Sequence, residues 1–105
     1  MNDKILSMTG MAKRAGKVSA GGFLCGQSVK NGGAELVIIA KDASENTVKQ
    51  IKNSCLHYGV PFIEYSDMEA LGKCIGTEAR AVISVNDKNF AKAISDIYNN
   101  LLREC

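Results

Sequence analysis

The chain has no tryptophan, one proline, one histidine and only 6% aromatic residues over its 105 positions. So few rings leave no obvious stacking platform of the kind that holds single-stranded nucleic acid. The lone histidine, His57, has no Ser, Cys or Asp at a convincing motif spacing, so no nucleophile–base constellation is visible and no enzyme is expected. Placed just before Gly59, His57 reads as a surface or C-cap residue at the negative end of a helix. Cys25, Cys55, Cys74 and Cys105 include no C-x-x-C pair, which argues against structural zinc. The first three read as small core or near-core hydrophobes and Cys105 as an exposed terminal thiol. Glu64, Asp67 and Glu69 lie close together, but three acids on one strand-to-helix turn read as a solvated rim. No metal and no cofactor are expected. No apolar run approaches membrane-spanning length, and the opening Met1-Asn2-Asp3-Lys4 is not followed by the apolar core of a signal peptide. The expectation is a cytoplasmic protein without a membrane partner.

What is present is a regular alternation of short apolar runs and helical patterns. At 46% apolar residues, 105 positions suffice for one core, and a single domain over 1–105 is expected. Ile5, Leu6, Met8, Met11, Ala12 and Ala15 share one side of a helical wheel that ends at Gly16. Lys17-Val18-Ser19 reads as a very short strand. Phe23 to Asn31 reads as a second helix packing through Phe23 or Leu24, Cys25 and Val29. Leu36 to Ala40 is solidly apolar, the mark of a strand covered on both faces. Asp42 with Glu45 three residues on matches a capping box, with Ser44 as a competing cap, for a helix that packs Val48, Ile51 and Cys55 and stops at Gly59. Val60 to Tyr65 is the next strand, Ser66 with Glu69 caps a short helix, and Ala81 to Val85 is the last strand. Asn86 or Asp87 then caps a final helix whose apolar residues Phe90, Ile94, Ile97, Tyr98 and Leu101 follow a helical period. The predicted fold is a three-layer α/β/α sandwich around a small four-stranded sheet, mostly parallel or mixed.

Charge is modest in total, +2, but uneven. Residues 1–32 carry five cations, Lys4, Lys13, Arg14, Lys17 and Lys30, against Asp3 alone, a net +4; residues 33–79 are net −3. A local basic patch is therefore compatible with a nearly neutral chain. Two helix starts follow buried strands, Asp42-Ala43-Ser44 and Asn86-Asp87-Lys88. Parallel strands would bring both to one sheet edge, where free amides, Lys41, Lys88 and Lys92 meet phosphates, with Lys13, Arg14 and Lys17 widening the patch. Ordinary capping with scattered lysines is the competing reading. Gly21-Gly22 matches no phosphate-loop pattern and is compatible with a plain turn, with close backbone contact to RNA, or with a nucleotide site.

Several segments together resemble a known family: Ala12-Lys13-Arg14-Ala15-Gly16-Lys17-Val18, the run from Asn31-Gly32-Gly33 through Leu36 to Ser44, Asn46-Thr47, Val60-Pro61, Leu71-Gly72, Gly76 and Asn86 to Ile94. They are similar, in combination and order, to kink-turn RNA-binding ribosomal proteins of the L7Ae type, and closest in style to short bacterial ribosome-associated members. The resemblance runs from about Ile5 to Leu101. It implies an α/β/α sandwich, no enzymatic activity, and structured RNA as partner, ribosomal or otherwise kink-turn-like. It also implies a site in which Gly21, Lys41-Asp42-Ala43 and Val85-Asn86-Asp87 frame the RNA. Together with the basic residues and the Gly21–Gln27 segment, the candidate RNA-binding set is Lys13, Arg14, Lys17, Gly21, Gly22, Phe23, Gln27, Lys41, Asp42, Asn86, Asp87 and Lys88. Where kink-turn binders carry G-x-N-E-x-x-K, this chain reads Gly21-Gly22-Phe23-Leu24-Cys25-Gly26-Gln27. Phe23 and Leu24 cannot make the base-edge hydrogen bonds of Asn and Glu, and Gln27 lacks the charge of Lys. Each lost polar contact is worth ~1–3 kcal/mol. Three readings follow for Phe23 and Leu24: stacking on a different RNA, an apolar patch for a protein partner or a second copy, or packing in the core.

Overall fold

The computed structural model describes residues 3–104, so the expectation for Cys105 lies outside the described residues. Helix α1 (Lys4–Arg14) starts on Asp3, whose carboxylate accepts the Leu6 N–H at 3.0 Å, and ends as expected at Gly16. Strand β1 (Val18–Ala20) is followed by α2 (Gly22–Lys30), then β2 (Leu36–Ile39), α3 (Glu45–Tyr58), β3 (Phe62–Glu64), α4 (Met68–Cys74), β4 (Val82–Val85) and α5 (Lys88–Arg103). Every residue of β2 and of β4 is buried, as their uninterrupted apolar character requires.

The sheet has the order β1-β4-β2-β3. Side chains alternate between its faces. Leu36, Ile38, Ile83 and Val85 pack with Ile5, Leu71 and Ile94 on the α1/α4/α5 side. Val37, Ile39 and Val82 pack with Cys25, Val29, Ile51 and Cys55 on the α2/α3 side. The three-layer sandwich is thus the fold.

The sheet is mixed. β2 and β3 are parallel, but β4 runs antiparallel to both β1 and β2, inserted between them. The cause lies between β3 and β4. Helix α4 spans only seven residues, and the chain after it doubles back until the Arg80 N–H donates to the Met68 carbonyl at 3.0 Å, at the helix start. Gly72 permits this return, because a Cβ there would collide with the Glu78 carbonyl. β4 therefore sets out from the sheet end at which β3 finishes. The expectation that Asp42-Ala43-Ser44 and Asn86-Asp87-Lys88 share one sheet edge is corrected by this direction: they lie at opposite ends.

Two helix starts also differ from expectation. Ser44, not Asp42, caps α3, accepting the Thr47 N–H at 3.2 Å. The turn that closes with the Ala43 N–H on the Ala40 carbonyl delays the helix, and Asp42 instead accepts the Met68 N–H at 2.8 Å. Asp67, not Ser66, caps α4 through the Ala70 N–H, while Ser66 sits at φ 63 in the link from β3. Asp87 is the cap of α5, through the Phe90 N–H.

Candidate nucleic-acid interface

One end of the sheet is built around Gly21. Its φ of 90° is a conformation that favours glycine, and its N–H donates to the Val82 carbonyl at 3.0 Å, tying the start of α2 to the first residue of β4. Helix α2 turns Cys25, Ser28 and Val29 inward. That spacing sends Phe23, Leu24 and Gln27 outward. Phe23 is 76% exposed and Leu24 51%, so neither packs in the core, which corrects that reading of α2. Beside Phe23 runs an open groove of about 540 Å³ between α2 and α3, lined in part by Gln27, Lys30, Thr47, Gln50 and Asn53.

The strand-exit loop with Lys41 and Asp42 reaches the same sheet end. The Lys41 N–H donates to Ser66, and the Ala40 N–H donates to the Ala81 carbonyl. The latter bond brings in a segment the sequence reading passed over, residues 77–81 ahead of β4. Its Arg80 has a buried Nε without a hydrogen-bond partner among the described residues. The available signal was an arginine directly ahead of an apolar strand, but only the antiparallel course of β4 brings it beside Gly21. The loops framing this end carry Lys41 and Arg80 against Asp42, Glu45, Asp67 and Glu78.

The other predicted residues lie at the far end of the sheet. The Asn86 N–H donates to the Lys17 carbonyl at 2.7 Å, which places Lys17, Lys13 and Arg14 beside the β4 exit. The Asn86 side chain faces inward. Its Oδ1 accepts from Ser84 at 2.9 Å and its Nδ2 donates to the Ser19 hydroxyl at 3.0 Å, and Ser19 in turn meets Ser28 at 3.0 Å. Asp87 is engaged as a cap, whereas Lys88 is exposed. The twelve candidate residues therefore divide: Gly21, Gly22, Phe23, Gln27, Lys41 and Asp42 surround the α2 side, and Lys13, Arg14, Lys17, Asn86, Asp87 and Lys88 sit at the opposite sheet end.

The remaining reactive groups have structural occupations. Burial pushes the Cys25 thiol up to about 12 and those of Cys55 and Cys74 to about 11, so all three stay protonated near neutral pH. Burial, and then the Tyr65 hydroxyl's 2.6 Å bond to Asp3, raises Tyr65 to about 12. His57 is exposed in the last turn of α3, against the edge of Tyr58. Glu64 pairs with Lys52 at 2.9 Å, Asp67 caps α4 and Glu69 lies 3.6 Å from Lys73. Among the described residues no three His, Cys, Asp or Glu side chains stand together as a metal site.

Comparison with known proteins bears on this geometry. The chain is 39% identical over 87 residues to the RNA-binding protein YlxQ of Bacillus subtilis (strain 168), covering 83% of this chain and 87% of that one. It is 35% identical over 94 residues to the RNA-binding protein YlxQ of Enterococcus faecium, covering 90% of each. A Bacillus halodurans protein of unknown function superposes with a TM-score of 0.90 at 32% identity, over 93% of this chain and 99% of that one. A Giardia lamblia 15.5kD RNA binding protein shares the fold, with a TM-score of 0.79 at 23% identity over 95% and 89% of the two chains. The model of the ribosomal protein L7Ae/L30e/S12e/Gadd45 family matches residues 3–95, and the chain belongs to that family.

Proposed function

We propose that this protein binds structured RNA, at a bend or an unpaired loop, through the sheet end at which α2 begins, and that it does so in the cytoplasm in association with the ribosome. Family membership and the RNA-binding relatives support an RNA partner. The observation that carries the site is Phe23, 76% exposed at the first turn of a helix, beside the Gly21 turn and a groove that holds Gln27, Lys30, Gln50 and Asn53.

The chemistry follows from what these side chains can do. An exposed ring at the open end of a groove stacks on an unstacked base, and every base presents a face for it. Gln27, Gln50 and Asn53 each offer a carbonyl acceptor and an amide donor to base edges or ribose hydroxyls. Lys30, Lys41 and Arg80 supply charge for phosphates, and Arg80 offers a planar fork. Base-edge reading by an Asn-Glu pair at the helix start is replaced by stacking and by groove contacts.

The test is a fluorescence-anisotropy titration of the full chain against a kink-turn RNA and a straight duplex of equal charge, at two salt concentrations. Preference for the bent RNA that survives added salt is the expected result. Equal binding that vanishes with salt reduces the activity to phosphate attraction. The exposed Phe23–Leu24 pair also favours a second reading, a protein-interaction or homodimerisation surface. A concentration-dependent dimer abolished by Phe23→Asp, without RNA affinity, would establish it.

A further inference from the structure

Four cations without an ion pair among the described residues gather away from the start of α2. Lys13 and Arg14 close α1, Lys17 leads into β1 and Lys88 opens α5. The 2.7 Å bond from the Asn86 N–H to the Lys17 carbonyl fixes the entry of β1 against the exit of β4, and so brings the end of α1 beside the start of α5. All four side chains are exposed, and none forms an ion pair among the described residues. The nearby acids are fewer. Asp87, which accepts the Phe90 N–H and keeps its charge, and Glu35 at the entry of β2 stand against the four cations, while Asp96 pairs with Lys92 further along α5.

This cluster is built on a stiff base. The Lys17 N–H returns to the Ala12 carbonyl at 2.9 Å, and Asn86 is held from within by Ser84 and Ser19. It is also remote from the α2 site. Lys17 and Gly21 flank β1, about 13 Å apart along the strand at ~3.3 Å per residue. Moreover, α1 and α5 cover one sheet face and α2 and α3 the other.

We infer that the α1–α5 end of the sheet, through Lys13, Arg14, Lys17 and Lys88, is a second RNA contact surface that takes the phosphate backbone of a helical arm extending from the element held at α2. The inference rests on the RNA-binding reading proposed above. Exposed Lys and Arg without paired carboxylates attract a polyanion by releasing its counterions. The four side chains are cations with no ring beside them to stack on a base, so the cluster reads charge and not sequence.

The test uses the full chain, a kink-turn RNA with one long duplex arm, and the same RNA with that arm trimmed, each titrated from about 50 to 200 mM salt. For the long-arm RNA, the variant Lys13→Gln/Arg14→Gln/Lys17→Gln is expected to flatten the slope of log affinity against log salt by about 2–3, at ~0.9 per phosphate contact. Its preference for bent over straight RNA stays that of the wild type, and with the trimmed arm the wild-type and variant slopes coincide. Lys88→Gln, made separately, flattens the slope by about one. A wild type that prefers bent RNA, with a triple variant of unchanged slope, overturns this inference alone. A wild type that binds bent and straight RNA equally, with the slope falling in the variant, supports this surface and overturns the α2 site. No RNA binding by the wild type overturns both.

Discussion

The two ends of the sheet differ in the kind of contact they offer. The α2 end presents an exposed ring, a groove that carries the amides of Gln27, Gln50 and Asn53 and the cation Lys30, and connecting segments in which Lys41 and Arg80 are outnumbered by carboxylates. The α1–α5 end presents four exposed cations. Stacking and hydrogen bonding depend on shape and survive salt, whereas counterion release is indifferent to sequence and fades with it. Placing the two at opposite ends of one small sheet puts the stacking ring and the four-cation cluster on separate side chains, so each can be removed without the other.

The sharpest way to break that separation is to dislodge one end while leaving the other intact. Gly72→Ala forces a methyl against the Glu78 carbonyl and displaces the loop that holds Arg80 beside Gly21. It is expected to lower stability by roughly 1–3 kcal/mol or more, read as a lower urea midpoint. Preference for bent RNA should fall with it, and the salt slope should lose at most the one contact of Arg80, keeping the share set at the far end. An unchanged midpoint would show that the return from α4 is not held by that contact.

Phe23→Ala separates the ends without disturbing the fold. It should cost ~1–3 kcal/mol of affinity for bent RNA, the worth of one base on an aromatic ring. The thermal midpoint and the salt slope should hold. If affinity is unchanged, Phe23 is not the stacking residue.

Asn86→Ala gives the converse at the other end. The side chain bonds Ser84 and Ser19 inside the protein, so the loss should appear as ~1–2 kcal/mol of stability, measured by urea denaturation, with little change in RNA affinity. A large affinity loss at constant stability would place Asn86 on the RNA.

The smallest expected effect distinguishes two neighbours in the β2 exit loop. Ser44→Ala should cost about 1 kcal/mol and raise amide exchange in the first turn of α3. Asp42→Ala should leave α3 alone and expose the Met68 amide at the start of α4 instead. Increased exchange in α3 for both variants would restore the capping-box assignment.

Much of the fold was legible because its signals are local. The runs Leu36–Ile39 and Val82–Val85 are apolar throughout and are buried throughout, and Gly16 and Gly59 end their helices where the periodicity stops. Helix caps were legible only to within a residue or two, since Asp42 and Ser44, or Ser66 and Asp67, are chemically equivalent candidates. The outward face of α2 was half legible: Cys25 and Val29 read correctly as core, but an apolar Phe23 gives no sign of exposure by itself. Arg80 offered only its place directly ahead of an apolar strand, and nothing local to it indicates which strand end it will stand beside.

The sequence by itself determined the alternation of strands and helices, the two buried strands, and the family resemblance carried by its segments, since each depends on side chains a few residues apart. The direction of β4 was decided only in three dimensions. It follows from a seven-residue helix and a backbone that folds back on it, with Gly72 against Glu78 and Arg80 on Met68. That one reversal sends Asn86 to Lys88 to one end of the sheet and Lys41 to Ser44 to the other. It turns a single list of candidate residues into two surfaces, because strand order and direction are set by contacts between segments far apart in the chain.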